Sequence, residues 1–209
     1  MNKPTLQLAQ LYSTDQNSFK DHLNTFDTDQ LKQMIVDLLH LNLTDPNFSS
    51  LAESIPLNLA GYESHPDKHG YDGFIGESYE NALEYLEQKP DKTNSTANKL
   101  NGGGGFADYT IKRWENDMGN GDKLKLMISG FVNGTLIYAY KVPHNHQPLM
   151  DRLKNETTRL INKGGRVVPT FSYIHYQTCT DIELVYRANN FDDFKDYMSK
   201  PFFNFVKSL

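Results

Sequence analysis

Cysteine is almost missing from this 209-residue chain, which holds only Cys179. One thiol cannot close an intramolecular disulfide, and it cannot supply the clustered thiolates of a cysteine-based zinc site. Long apolar runs are missing too. No stretch approaches the roughly 18 apolar residues of a membrane span, and MNKPTLQLAQLYSTDQNS at the N-terminus lacks the apolar core and cleavage site of a leader. These absences predict a cytoplasmic protein with no membrane partner. An excess of positive charge is also lacking: the formal net charge is -5. That argues against a partner held mainly by neutralising phosphates, as histone-like proteins hold DNA. A local basic cleft, or carboxylates offset by a divalent metal, still permits nucleic acid. Tryptophan occurs once, against 12 Tyr and 12 Phe, a pattern that suits strand interiors and polar contact surfaces.

What is present divides into helices first and strands later. Leu31, Met34, Ile35, Leu38 and Leu39 repeat at helical spacing behind Thr28 as N-cap. FSSLAESIP reads as a short helix capped by Ser49 or Ser50 and ending before Pro56. A short strand is expected around Tyr71–Ile75, and FADYTIKRW also reads as a strand. LKLMISGFVNGTLIYAYKV is a hairpin in which Asn133-Gly134 makes the tight turn. PLMDRLKNETTRLINKGG repeats Leu149, Leu153, Thr157 and Leu160 before two stop glycines, which marks a helix. VVPTFSYIHYQT and DIELVYRA follow as strands, and the C-terminus closes as a helix broken or kinked at Pro201. The order predicts a single α/β domain, residues 1–209, with a central mixed β-sheet flanked by helices. Within it, residues 1–60 are helical, 61–90 hold the candidate catalytic strands and 91–209 complete the core.

HGYDGFIGESYENALEYLEQKP, from His69 to Pro90, fits two secondary structures. As a helix, it places Tyr79, Ala82, Leu83 and Leu86 on one stripe that Pro90 ends. As a strand, it sets Glu87 and Lys89 two apart on one face, downstream of Asp72. Two carboxylates and a lysine suit phosphodiester hydrolysis: the acids offer oxygen ligands to a hard cation, and the lysine adds positive charge where the transition state gains negative charge. Residues two apart on a helix diverge by about 200°, so this chemistry requires the strand.

The spacing of Asp72 and Glu87-Gln88-Lys89 resembles the Asp…Glu-x-Lys signature of the PD-(D/E)XK nuclease superfamily, in particular its type II restriction endonucleases. The resemblance implies an αβββαβ core, Mg²⁺-dependent cleavage of double-stranded DNA and a homodimer. Asp72 and Glu87 would then hold the metal, Lys89 would assist the attacking water, and Glu53 or Glu63 would add a further acid. A second placement in the same superfamily makes residues 77–89 the core helix and moves the acid and lysine to Asp108 and Lys141, with Ala139 where the second acid should stand.

Four consecutive glycines, Gly102 to Gly105, match neither the phosphate-binding P-loop nor the dinucleotide fingerprint, so no nucleotide cofactor is expected. For a nuclease, this polar segment reads as a flexible loop that wraps DNA, with Asn98, Lys99, Asn101, Lys112 and Arg113 as candidate DNA contacts. His144 and His146 lack the distal ligand an HNH nuclease needs. His65 and His69 are too sparsely accompanied to make a metal site, and His175 reads as a packed strand residue. Cys179 has no nucleophile context.

Overall fold

The computed structural model describes residues 3–44, 50–65 and 70–209. Ser49 and His69 lie outside the described residues. Four helices open the chain: α1 (Lys3–Thr14), α2 (Gln16–Leu23), α3 (Thr28–Thr44) and α4 (Ser50–Leu59). Helix α3 is capped by Asp27 rather than Thr28. Asp27 Oδ1 accepts from the Gln30 amide at 2.8 Å while Gln30 Oε1 accepts from the Asp27 amide at 3.0 Å, a reciprocal capping pair.

Helix α4 runs through Pro56 instead of stopping before it. A proline inside a helix leaves the carbonyl four residues earlier without its amide. That carbonyl belongs to Ala52, and the Gln88 side-chain amide reaches it at 3.5 Å, with Ser129 Oγ at 3.2 Å as its second partner. The break in helical bonding therefore becomes a link between α4 and the sheet.

The sheet begins with β1 (Glu63–Ser64), β2 (Gly73–Ile75) and β3 (Glu84–Thr93), successively antiparallel. After β4 (Gly104–Gly105) come α5 (Ile111–Gly119), β5 (Leu124–Val132) and β6 (Thr135–Pro143). Strand β5 lies parallel to β3 and antiparallel to β6. Helix α6 (Gln147–Lys163), β7 (Thr170–Phe171), β8 (Glu183–Arg187) and α7 (Lys200–Ser208) complete the chain. The six-stranded order is β1-β2-β3-β5-β6-β8, and β4 pairs with β7 in a separate ribbon. From α4 to β5 the main-sheet elements thus run helix, three antiparallel strands, helix, parallel strand. The α/β domain with a mixed sheet and its αβββαβ order are both present.

The ambiguous stretch resolves into turns followed by a strand. Strand β3 pairs with β5 over nine positions, from Tyr85–Leu124 to Thr93–Val132. Of the supposed helical stripe, Leu86 is fully buried while Leu83 is 73% exposed, so the periodicity marked no buried helix face. Pro90 lies inside the strand rather than ending it. Past Leu86, no described strand pairs with β3 on its β2 side. The Gln88 amide points to that side, where it meets Asp72, and two residues on, Pro90 faces the same open edge, where no ladder bond is forfeited.

FADYTIKRW is the main misplacement. Thr110 accepts from the Arg113 amide at 3.0 Å and starts helix α5, so the predicted strand is a loop followed by a helix. VVPTFSYIHYQT keeps only the two residues of β7 as strand, because Ser172 caps a 3₁₀ turn at Tyr173–His175. The hairpin forms at Asn133-Gly134, both with positive φ (49° and 81°) as a tight two-residue turn requires. The C-terminal break falls before Pro201: Ser199 caps α7, and Pro201 sits in its first turn, where a missing amide costs nothing.

Helices cover both faces of the sheet. Leu126, Ile128, Tyr140 and Val142 pack with Leu149, Leu153, Phe202 and Val206 of α6 and α7. Leu86, Met127 and Ala139 pack on the opposite side with Ala52, Ile55 and Leu57 around α4. Strand β5, buried on both faces, accordingly reads as an almost continuous apolar run. No described helix is long and apolar enough to cross a membrane.

Candidate active site

The candidate site is a fork. Gly73 still pairs with Leu86, but one residue earlier the backbone of Asp72 turns toward β1, its carbonyl accepting from the His65 amide at 3.0 Å. Its side chain takes over the abandoned ladder position, with Oδ2 accepting from the Gln88 amide at 2.6 Å. Asp72 is thereby fixed beside Glu87 and Lys89. Because Leu86 and Gln88 turn toward α4, Glu87 and Lys89 share the opposite face, toward α5. The strand geometry that the chemistry required is present.

Both oxygens of Glu87 are held by cations. Lys89 Nζ lies 2.6 Å from Oε1 and Arg113 Nη2 lies 2.9 Å from Oε2. Lys89 also rests over the Phe106 ring, 4.4 Å from its centre. Burial works against ionisation of Glu87, but Lys89 and Arg113 outweigh it and keep its carboxyl below the ordinary value. Asp72 moves the other way. Burial first, then the charge of Glu87, push its carboxyl up to about 7, against the opposing pull of Lys89 and the Gln88 amide. Glu53 of α4 adds to the same upward push, whereas Glu63 is exposed on β1.

Arg113 is positioned by residues that the sequence did not single out. Its Nε donates to Asp117 Oδ1 at 3.0 Å, one helical turn on. Asp117 is fully buried and also accepts from the hydroxyls of Tyr109 at 2.7 Å and Tyr71 at 2.9 Å. Tyr71, the neighbour of Asp72, lies under the guanidinium with its ring centre 5.1 Å away, and Asn120 donates to its hydroxyl at 2.8 Å. Burial and the charge of Asp117 raise both tyrosines well above their ordinary values, so both stay protonated as donors. His144 is fully buried, with Nε2 3.8 Å from Asp117, and burial lowers its pKa so that it packs as the neutral ring. The one sequence sign of this network was the i,i+4 pairing of Arg113 with Asp117 behind the Thr110 cap.

No protein-family model, no curated protein and no solved structure matches this chain. Its own geometry is therefore the guide to its chemistry.

The second placement fails on that geometry. Residues 84–93 are strand, Asp108 pairs with Arg166 at 3.2 Å on the surface, and Lys141 pairs with Glu183 at 3.0 Å. Among the described residues, Asp108 and Lys141 share no partner. The five candidate DNA contacts are dispersed as well. Asn98 lines an apolar cavity beside α1, and Lys99 reaches the Met198 carbonyl at 3.4 Å. Asn101 borders a polar cleft and Lys112 is exposed on α5. Arg113 is engaged by Glu87 and Asp117 rather than free to reach base edges.

The glycine run is packed, not a flexible wrapping loop. Gly102, with φ of 61°, lies against Phe202 and the Tyr176 hydroxyl, and a side chain at Gly103 would overlap the Phe171 carbonyl. A Cβ at Gly104 would stand 3.0 Å from Lys89 Cβ and 3.1 Å from its Cγ and Cδ. The glycines let the backbone close directly over the catalytic lysine candidate.

The histidines stay apart. His65 stacks on Tyr79 with 3.7 Å between ring centres, and His146 reaches Thr178 at 3.4 Å. His175 accepts the Ser172 amide at 3.1 Å. Among the described residues, no group of three or more His, Cys, Asp or Glu side chains is placed to hold a metal ion.

Proposed function

We propose that this chain is a Mg²⁺-dependent endonuclease that hydrolyses phosphodiester bonds of double-stranded DNA site-specifically, in the manner of type II restriction enzymes of the PD-(D/E)XK superfamily. The observation that carries the reading is the convergence of Asp72, Glu87 and Lys89 at the β2–β3 fork of an αβββαβ core. Sequence specificity and a two-fold homodimer, which would bring one site to each strand of a palindrome, follow from the family resemblance. The single cysteine and acidic balance support a cytoplasmic setting.

The donor set fits a hard cation. Mg²⁺ keeps several waters and is typically held by one or two carboxylates together with substrate phosphate oxygens. Asp72 and Glu87 supply two carboxylates: Asp72 Oδ1 has no hydrogen bond among the described residues, and Glu87 would share with the metal an oxygen that now faces Lys89 or Arg113. Burial first, then Glu87, push the Asp72 carboxyl up, and a cation would oppose both. When bound, the metal would polarise the phosphate and acidify a water molecule.

Other steps fall to the protein. Lys89, braced by Glu87 and the Phe106 ring, holds an ammonium where it can orient the attacking water and offset charge growing on the phosphate. Arg113 supplies a second cation on the far oxygen of Glu87, fixed independently by Asp117. Gly104 restricts Lys89 to one path and keeps bulk away from its stem.

The test is cleavage of plasmid and phage DNA with Mg²⁺ by the wild type, Asp72→Ala and Lys89→Ala. Discrete fragments from the wild type, lost in both folded variants, are expected. Unimpaired cleavage by both variants would remove the site. Binding without cleavage in every divalent metal would instead make the protein a non-catalytic DNA-binding module, and cleavage confined to RNA or branched DNA would change the substrate class.

A further inference from the structure

Next to the candidate site runs a polar cleft of about 440 Å³, and the geometry points to it as the channel that receives the nucleic-acid backbone beyond the scissile phosphate, with Arg152 and His175 as phosphate contacts. The inference rests on the nuclease reading for the class of ligand and adds the path the strand takes.

Gly104 joins the two features. It closes on the Lys89 stem and also lines the cleft. The ribbon of β4 and β7 forms one wall, through Gly104, Thr170 and Phe171, and Asn101, Gly103, Ser172 and His175 line the same space. Glycine is required there, since a side chain at Gly103 would also stand 2.6 Å from Asn101 Oδ1.

The cleft offers donors and no acid. Arg152 is anchored through Nε to the Thr170 carbonyl at 2.9 Å and through Nη1 to Glu156 at 3.3 Å, with 35% of its side chain exposed. Its Nη2 has no partner among the described residues. His175 Nδ1 lies 3.1 Å from both the amide and the carbonyl of Ser172, and its Nε2 is likewise unpaired among them. None of the residues lining the cleft is a carboxylate. A fixed guanidinium and an imidazole edge beside amide and hydroxyl groups suit a phosphodiester, and continuity with Lys89 suits a polymer rather than a separate small anion.

The experiment measures fluorescence anisotropy of a labelled DNA duplex with Ca²⁺ in place of Mg²⁺ over a range of KCl, using wild type, Arg152→Gln, His175→Ala and, as a distant surface cation, Lys32→Gln. Arg152→Gln should weaken binding about tenfold and reduce the slope of log affinity against log salt by about 0.9, the loss of one phosphate contact. His175→Ala should weaken binding less, and Lys32→Gln should match wild type. Thermal melting confirms that each variant is folded.

Unchanged affinity and slope in folded Arg152→Gln and His175→Ala would overturn the channel while leaving wild-type cleavage, and so the nuclease reading, intact. Loss of binding in these variants without wild-type cleavage would keep the channel and discard the nuclease. No duplex binding by the wild type would overturn the channel. Binding of inorganic phosphate that is lost in Arg152→Gln, with duplex affinity unchanged by that substitution, would identify a free-anion site and overturn the polymer path.

Discussion

Asp117 is the most demanding test of how the candidate site is held together. Its carboxylate accepts from Tyr109 at 2.7 Å, Tyr71 at 2.9 Å and Arg113 Nε at 3.0 Å, and it is fully buried. Asp117→Asn keeps the shape but removes the charge, and it puts an amide donor where one of those donors needs an acceptor. Hydrogen bonds to a charged group contribute about 1.5–3 kcal/mol each, and neutral ones about 0.5–1.5. Three bonds that each lose about 1 kcal/mol give roughly 3 kcal/mol. The Arg113 arm counts for less, because its side chain is 34% exposed and water replaces part of the lost interaction. We therefore expect a loss of about 2–4 kcal/mol, or a melting temperature about 10 °C lower for a chain of this length. Urea unfolding should show a lower midpoint with an unchanged m value. Cleavage by the folded variant should also fall, since Arg113 then holds Glu87 without its own anchor. A stability loss under about 1 kcal/mol would refute the idea that Asp117 fastens α5 to the Tyr71–Asp72 segment.

Two further outcomes follow from the same fork. Asp72 is raised from the ordinary 3.8 to about 7, so the folded state holds its proton more tightly than the unfolded chain does. The metal-free protein should then lose stability as pH rises between those values, and Asp72→Asn, which keeps an acceptor for the Gln88 amide, should escape the loss. In EDTA the variant should be more stable than wild type by a few kcal/mol at pH 8 and by little at pH 4; an equal difference at both pH values would sink the assignment. Mg²⁺ should raise the melting temperature of the wild type and not of Asp72→Asn. Gly103→Ala meets backbone and should cost about 1–3 kcal/mol in urea unfolding. The atoms nearest a side chain at Gly104 are those of the flexible Lys89 stem, so Gly104→Ala should lower cleavage with a smaller stability loss, and the reverse order would show that the glycines do not pack as described.

The hairpin and the mixed sheet were legible because their signals are local: Asn133-Gly134 sets a turn, and β5 announces its double burial by an almost continuous apolar run. The strand at 84–93 was not legible in that way. Its own periodicity favoured a helix, and only the requirement that Glu87 and Lys89 act together pointed to the strand. What makes it a strand is β5, nearly forty residues downstream in register, a partner that no window around Glu87 contains. FADYTIKRW failed for the complementary reason. Its aromatic and aliphatic residues outweighed one threonine, yet Thr110 caps the helix, and α5 turns Trp114 and Met118, one turn apart, to the core beside the buried Asp117.

Charged residues beside a polar loop are ordinarily read as solvated contacts, and that reading hid half of the site. Arg113 was assigned to DNA and Asp117 to nothing, because burial of a carboxylate is intelligible only once its donors are in place. Those donors come from Tyr71, ahead of the fork, and Tyr109, ahead of α5, so the network exists only after β2, β3 and α5 have met. Glu87 then differs from Asp72 for a reason the spacing of Asp72, Glu87 and Lys89 cannot express. Both acids are buried at the same fork, but Glu87 has two cations on its oxygens and Asp72 has a backbone amide. The pair is thereby split into one carboxylate that stays charged and one that takes up a proton near neutrality. In the proposed nuclease, Asp72 is the acid whose ionisation a metal must secure, and Glu87 is the one the protein has already prepared.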